Sequence, residues 1–126
     1  MNELPVFELG YPRTELRRQL VDAVLRGEKT ATAGLLEEYE AESEQPDSVG
    51  SRCTLLGYDN EPVAVVEVTE SRVLPAAEID EQFARDEGEG FETVDDWREA
   101  HERFFERPIE PGTQIVAVRF RVVERL

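Results

Sequence analysis

Two runs of β-branched residues, at positions 52–58 and 62–74, constrain this chain more than any other feature. Val63, Val65 (or Ala64 and Val66), Val68 and Val73 supply the density of a buried sheet, and only Asp59-Asn60-Glu61 separates the two runs. Residues 113–123 alternate apolar and polar as a final strand, and 30–36 read as a strand or extended segment. Helical spacing lies between them. Residues 14–25 carry an apolar stripe of Leu16, Leu20, Val24 and either Val21 or Ala23, with Thr14 as N-cap and Gly27 as the stop. Pro75 opens a second helix over 75–84, and Thr93 caps a third over 94–106 whose apolar side holds Trp97, Ala100, Phe104 and Phe105. Residues 37–47 are acidic and loop-like, Asp86-Glu87-Gly88-Glu89-Gly90 is a second acidic loop, and 108–112 is a turn. Strands and helices in this order predict an α+β domain with a curled, mostly antiparallel sheet.

The 126 residues fit one domain, 1–126, with room for a real core. No run approaches the ~18 apolar residues of a membrane span, so no membrane partner is expected. The N-terminal Met-Asn-Glu-Leu-Pro-Val lacks the basic and apolar regions of a secretory leader. Cys53 is alone, has no internal disulfide partner, and reads as a small buried residue on a strand. A cytoplasmic location is the expectation. With 29 acids against 14 bases the net charge is -15, and such a mean field repels a long polyphosphate. Extended duplex DNA is therefore not an expected partner, whereas a local cationic pocket for one nucleotide or nucleoside stays open.

Of the 14 basic residues, only Lys29 is a lysine. An ammonium is a compact point charge on a flexible stem and can act as acid, base or oxyanion partner, which a guanidinium does not do. Lys29 follows Gly27 and precedes Thr30 and Thr32. On an ideal strand Lys29 and Thr32 would face opposite ways, so they converge only if Lys29 still lies in the turn and the strand starts near Thr30. The two threonines also fit as ordinary strand residues. Glu87 sits between Asp86 and Gly88, in a loop whose two glycines permit close approach to a ligand. His101, the only histidine, fits a proton shuttle near neutral pH or a half-buried helix residue bonded to a polar neighbour. Trp97 and Tyr39 fit either core positions or surfaces on which a base stacks. A glycine-rich phosphate loop, a Cys/His metal spacing and a Gly-x-Ser-x-Gly elbow are all missing from the sequence, so no metal or cofactor is expected.

Three segments carry a family resemblance. They are Gly27-Glu28-Lys29-Thr30-Ala31-Thr32-Ala33 with Leu35 to Tyr39, then Phe83 to Gly90, then Trp97 to His101 with Phe104-Phe105. In order and spacing, from about Leu20 to Val123, the chain resembles ASCH-domain proteins. The resemblance implies a PUA-like fold, a small β-barrel edged by about three helices with a cleft beside it, and an RNA-related role. Small bacterial members hydrolyse acetylcytidine nucleosides, a related member is linked to ribonuclease activity, and others are regarded as RNA-binding modules. The catalytic lysine, threonine and glutamate of the amidohydrolases map onto Lys29, Thr32 and Glu87, with Asp86 and Glu89 as neighbouring competitors. Thr30, Tyr39, Trp97 and Arg98 are the candidate substrate contacts of this chain. For amide hydrolysis, Thr32 would attack the acetyl carbonyl or position a water. If Lys29 and Glu87 touch, Lys29 is expected to be a charged oxyanion partner while Glu87 handles protons. If they are apart and Lys29 is dry, Lys29 is the base. Either scheme runs without a metal.

Overall fold

The computed structural model describes residues 4–126. The first half of the N-terminal segment read above for a leader therefore lies outside the described residues. In chain order the elements are β1 (Val6–Phe7), α1 (Glu15–Leu25), β2 (Ala31–Leu35), α2 (Leu36–Ala41), β3 (Arg52–Leu56) and β4 (Pro62–Pro75). A 3-10 turn (Ala76–Glu78), α3 (Glu81–Asp86), α4 (Val94–Phe105) and β5 (Gln114–Arg125) follow.

The β-branched runs form the sheet as expected. Its order is β1-β3-β4-β5-β2, with β1 parallel to β3 and every other pairing antiparallel. β1 and β2 form the two ends of that order, so the sheet is open where a closed barrel was expected. The long β4–β5 ladder shifts register at Val65/Val66 and Val68/Glu70. Such bulges add twist and bend a strand without closing it.

Along β5 the side chains alternate, and each face of the sheet finds its own cover. Ile115 and Ala117 join Leu35, Leu74, Ile79, Phe83, Trp97 and Ile109 in the cluster beneath α3 and α4. Val116 and Val118 pack with Val68 under Leu36 and Tyr39. Phe120 joins Phe7, Leu55 and Val66 against Leu20, Val21 and Val24 of α1. Cys53 is buried in this last group, as its strand position suggested.

Among the described residues four α-helices are present where about three were expected. Residues 36–41, expected to be the last strand residue followed by a loop from 37, form α2: Leu36, Glu37, Glu38, Tyr39, Glu40 and Ala41 suit a helix, and two glutamates occupy its first turn. The helix expected over 75–84 divides. Ala76–Glu78 makes a 3-10 turn, Ile79 is extended at φ -69° and ψ 125°, and Asp80 caps α3 by accepting from the Phe83 amide. The capping competence of Asp80 outweighs continuation through it. Thr93 and Asp96 form a reciprocal capping box on α4, as the Thr93 expectation required. β1, at two residues, is too short to show a period.

Candidate functional site

Lys29 is held where helix becomes strand. Gly27, at φ +82°, turns the chain after α1, and the amides of Glu28 and Lys29 both donate to Ala23 O at 2.9 and 3.1 Å. The Thr30 amide then donates to Asp86 O at 2.8 Å, and β2 begins at Ala31. This turn leaves Lys29 only 2% exposed. Its Nζ donates to Ala31 O at 2.8 Å, Glu87 O at 3.1 Å and Glu89 Oε2 at 3.3 Å. Glu87 Oε1 lies 3.5 Å away as a further counter-charge. Three acceptors meet the three N–H bonds of an ammonium.

Glu87 is the C-cap of α3 and is 1% exposed. Its Oε2 accepts from Trp97 Nε1 and lies 3.4 Å from His101 Nε2, while His101 Nδ1 donates to Trp97 O at 2.7 Å. Both imidazole nitrogens thus face oxygens, the arrangement of a protonated ring. Burial alone would push His101 down, but the Glu87 hydrogen bond and charge, with the Trp97 carbonyl and the Glu89 charge, outweigh it and raise the value above 6.5. Burial likewise pushes Glu87 up. The His101 hydrogen bond, the Lys29 charge, the His101 charge and the Trp97 N–H outweigh that, leaving Glu87 below its ordinary 4.5. Trp97 and His101, one helical turn apart, stack with centroids 4.5 Å apart and planes at 28°.

Gly88 makes this convergence sterically feasible. At φ +70°, a Cβ there would lie 2.5 Å from Glu28 O and 2.6 Å from Lys29 Cα. The loop after α3 therefore approaches the Lys29 turn backbone to backbone, which only glycine allows.

Lys29, Thr32, Tyr39, Glu87, Glu89 and His101 line one cavity of about 830 Å³. That volume falls in the range of roughly 300–1,000 Å³ typical of small-ligand sites. Lys29 precedes the strand, the condition set for convergence with Thr32, and both residues line the cavity. Thr30 is placed differently: its hydroxyl donates to Asp86 O at 3.4 Å. Asp86 is structural, its carboxylate taken by Arg119 at 2.5 Å and Gln82 at 2.9 Å. Trp97 is 1% exposed in the core and presents its indole N–H to Glu87, so no ring face is left for a base. Arg98 pairs with Asp95 at 3.0 Å and borders a separate hollow of about 430 Å³. The basic residues of the lining are Lys29, Arg26 and His101, and the acidic ones are Glu8, Glu42, Glu44, Asp47, Glu87 and Glu89.

Two partnerships were not readable from sequence. The contact of Glu89 with Lys29 spans 60 residues, and the approach of His101 to Glu87 depends on the packing of α4 against α3. The Gly-Glu-Gly spacing was the available signal for the first, since it marks a carboxylate on a freely turning backbone. The aromatic wall was also partly missed. Phe91, Phe104 and Phe105 line the cavity, and exposed Tyr11 stacks on Phe104 at 6.0 Å and 24°.

An open mixed sheet, helices on both faces and a buried amine between two carboxylates define an α+β domain with a cavity beside that amine. The ASCH domain family matches over residues 9–124, and the chain belongs to that family, which is associated with RNA-related roles. The crystal structure of protein EF3133 from Enterococcus faecalis, assigned to the family model DUF984, is similar at 30% identity and a TM-score of 0.86. That likeness covers 99% of this chain and 79% of the other. An ASCH domain from Lactobacillus crispatus is similar at 29% identity and a TM-score of 0.73, over 84% of this chain and 71% of that one. No curated protein matches the sequence.

Proposed function

We propose that the protein is a hydrolase of a modified nucleoside, cleaving an acetylcytidine-type amide with Lys29 as the electrophilic group. One observation carries the reading: a buried ammonium, fixed by Glu87, lines the same cavity as the Thr32 hydroxyl. The substrate carbonyl oxygen binds at Lys29, where charge develops as the tetrahedral intermediate forms. Thr32 orients the attacking water, and Glu87 holds the ammonium in place. The base lies along Phe91, Phe104 and Tyr39, which replace Trp97 as the stacking surface.

The acidic lining favours an uncharged nucleoside over an oligonucleotide, because phosphates entering among Glu42, Glu44 and Asp47 would be repelled. Turnover should therefore change little with salt, whereas binding to an RNA backbone would weaken steeply. The test is an assay of wild type and Lys29→Met on N4-acetylcytidine and on a short single-stranded RNA. Wild type should release cytidine, and Lys29→Met should lose at least about 10²-fold in kcat, the usual cost of removing an oxyanion donor. Full turnover by Lys29→Met would remove the role of Lys29. Cleavage of the RNA alone would replace the nucleoside reading with a ribonuclease one.

A further inference from the structure

We propose that Glu89 carries the proton in this hydrolysis and leaves Lys29 when the substrate carbonyl takes its place. The inference rests on the hydrolase reading above and assigns a role that Glu87 cannot fill. It begins with a donor count. The three N–H bonds of Lys29 are committed to Ala31 O, Glu87 O and Glu89 Oε2. A substrate oxygen can bind the ammonium only if one acceptor departs.

Two of the three are fixed. Ala31 O belongs to β2, and Glu87 O belongs to the cap of α3. The Glu87 side chain is equally committed, at 1% exposure, with Oε1 toward Lys29 and Oε2 toward Trp97 and His101. Glu89 differs in each respect. Its side chain is 24% exposed, and its one ion pair among the described residues is with Lys29. It stands between Gly88 and Gly90, at φ +70° and +85°, and a Cβ at Gly90 would meet nothing within 4 Å. Glu89 is the acceptor that can move.

Glu87, held low by His101, Lys29 and Trp97, stays charged and fixed in place. In the step itself, water attacks the acetyl carbon while Glu89 takes one of its protons. A carbon–oxygen bond forms, and the carbonyl π pair moves onto the oxygen at Lys29. When the carbon–nitrogen bond breaks, its electron pair stays on the leaving nitrogen, which takes the proton from Glu89. The amide and water become an amine and acetic acid, which ionises to solvent, and Glu89 ends as it began.

The test is steady-state kinetics of Glu89→Gln on N4-acetylcytidine. The variant should keep KM within about threefold and lose about 10²–10⁴-fold in kcat, the usual contribution of a positioned proton carrier. Wild-type or increased kcat would overturn the proposal, the second result marking Glu89 as a mere plug. The lone lysine supplies a readout that needs no turnover. In protein labelled with ¹⁵N at lysine Nζ, Glu89→Gln should shift the single ammonium resonance, and N4-acetylcytidine added to wild type should shift it the same way. Wild-type turnover with an unaffected Glu89→Gln removes this role alone. A wild type with neither turnover nor a shifted resonance removes the hydrolase reading, and this role with it.

Discussion

Lys29 owes its position less to its own strand than to a residue without a side chain, 59 positions on. A methyl at Gly88 would collide with the Glu28–Lys29 backbone and would also sit on a left-handed residue. Gly88→Ala should therefore cost about 2–5 kcal/mol, from left-handed strain and overpacking together, and should abolish turnover. Gly90→Ala meets only the strain and should cost about 1–2 kcal/mol. Denaturant melts of the two variants measure the difference. At this scale the sequence was partly legible. A lysine alone among arginines singled out Lys29, and the family resemblance implied Thr32 and Glu87 beside it. The partners of those residues were not legible, because a hydrogen bond to Trp97 Nε1 or a close approach of His101 is a property of folded distance. Trp97 fitted a core position and a base-stacking surface equally for the same reason: sequence shows an aromatic ring and hides the direction of its N–H.

Arg17 shows how an element is fastened to its neighbours. It belongs to α1, is fully buried, and donates to Leu9 O, Gly57 O, Gly10 O, Asn60 Oδ1 and Glu8 Oε1. One guanidinium thus ties α1 to the segment after β1 and to the β3–β4 turn. Arg17→Met keeps much of the volume but strands three carbonyls, and should destabilise by about 3 kcal/mol or more in urea melts. In sequence Arg17 looks like any arginine on an amphipathic helix, so the clamp was invisible there. The elements themselves were readable wherever a cap or a long β-branched run marked them, as at Thr14, Thr93 and β4. They were missed or merged where they are short: β1 has no period to show, α2 is six residues, and α3 was read as one helix with the turn before it.

The whole molecule carries a charge of -15, yet its buried ionic centre depends on keeping cations beside Glu87. That dependence sets a pH window. Glu87 is depressed on folding, so its contribution is present above the ordinary carboxylate value of 4.5 and is lost as pH falls through the folded value. His101 is raised, so its contribution is full below 6.5 and is lost as pH rises through its folded value. Stability from this pair should peak between those limits. A nuclear magnetic resonance titration of the single histidine should show it protonating above 6.5. In Glu87→Gln burial acts with little opposition, and the value should fall below 6.5. The α+β class and the antiparallel bias of the sheet were legible from the strand runs. Its openness was not, since closure depends on whether the two end strands meet.

The burial of Lys29 also bears on how the chain opens. A protease that cuts only after lysine has a single target bond in the sequence, between Lys29 and Thr30. In the folded chain the amides on both sides of that target are bonded, to Ala23 O and Asp86 O, and the side chain is out of reach. Such an enzyme can cut only when α1, β2 and the loop after α3 come apart together. The rate of that one cleavage is therefore a clock for the opening of this part of the molecule, read as a single band becoming two.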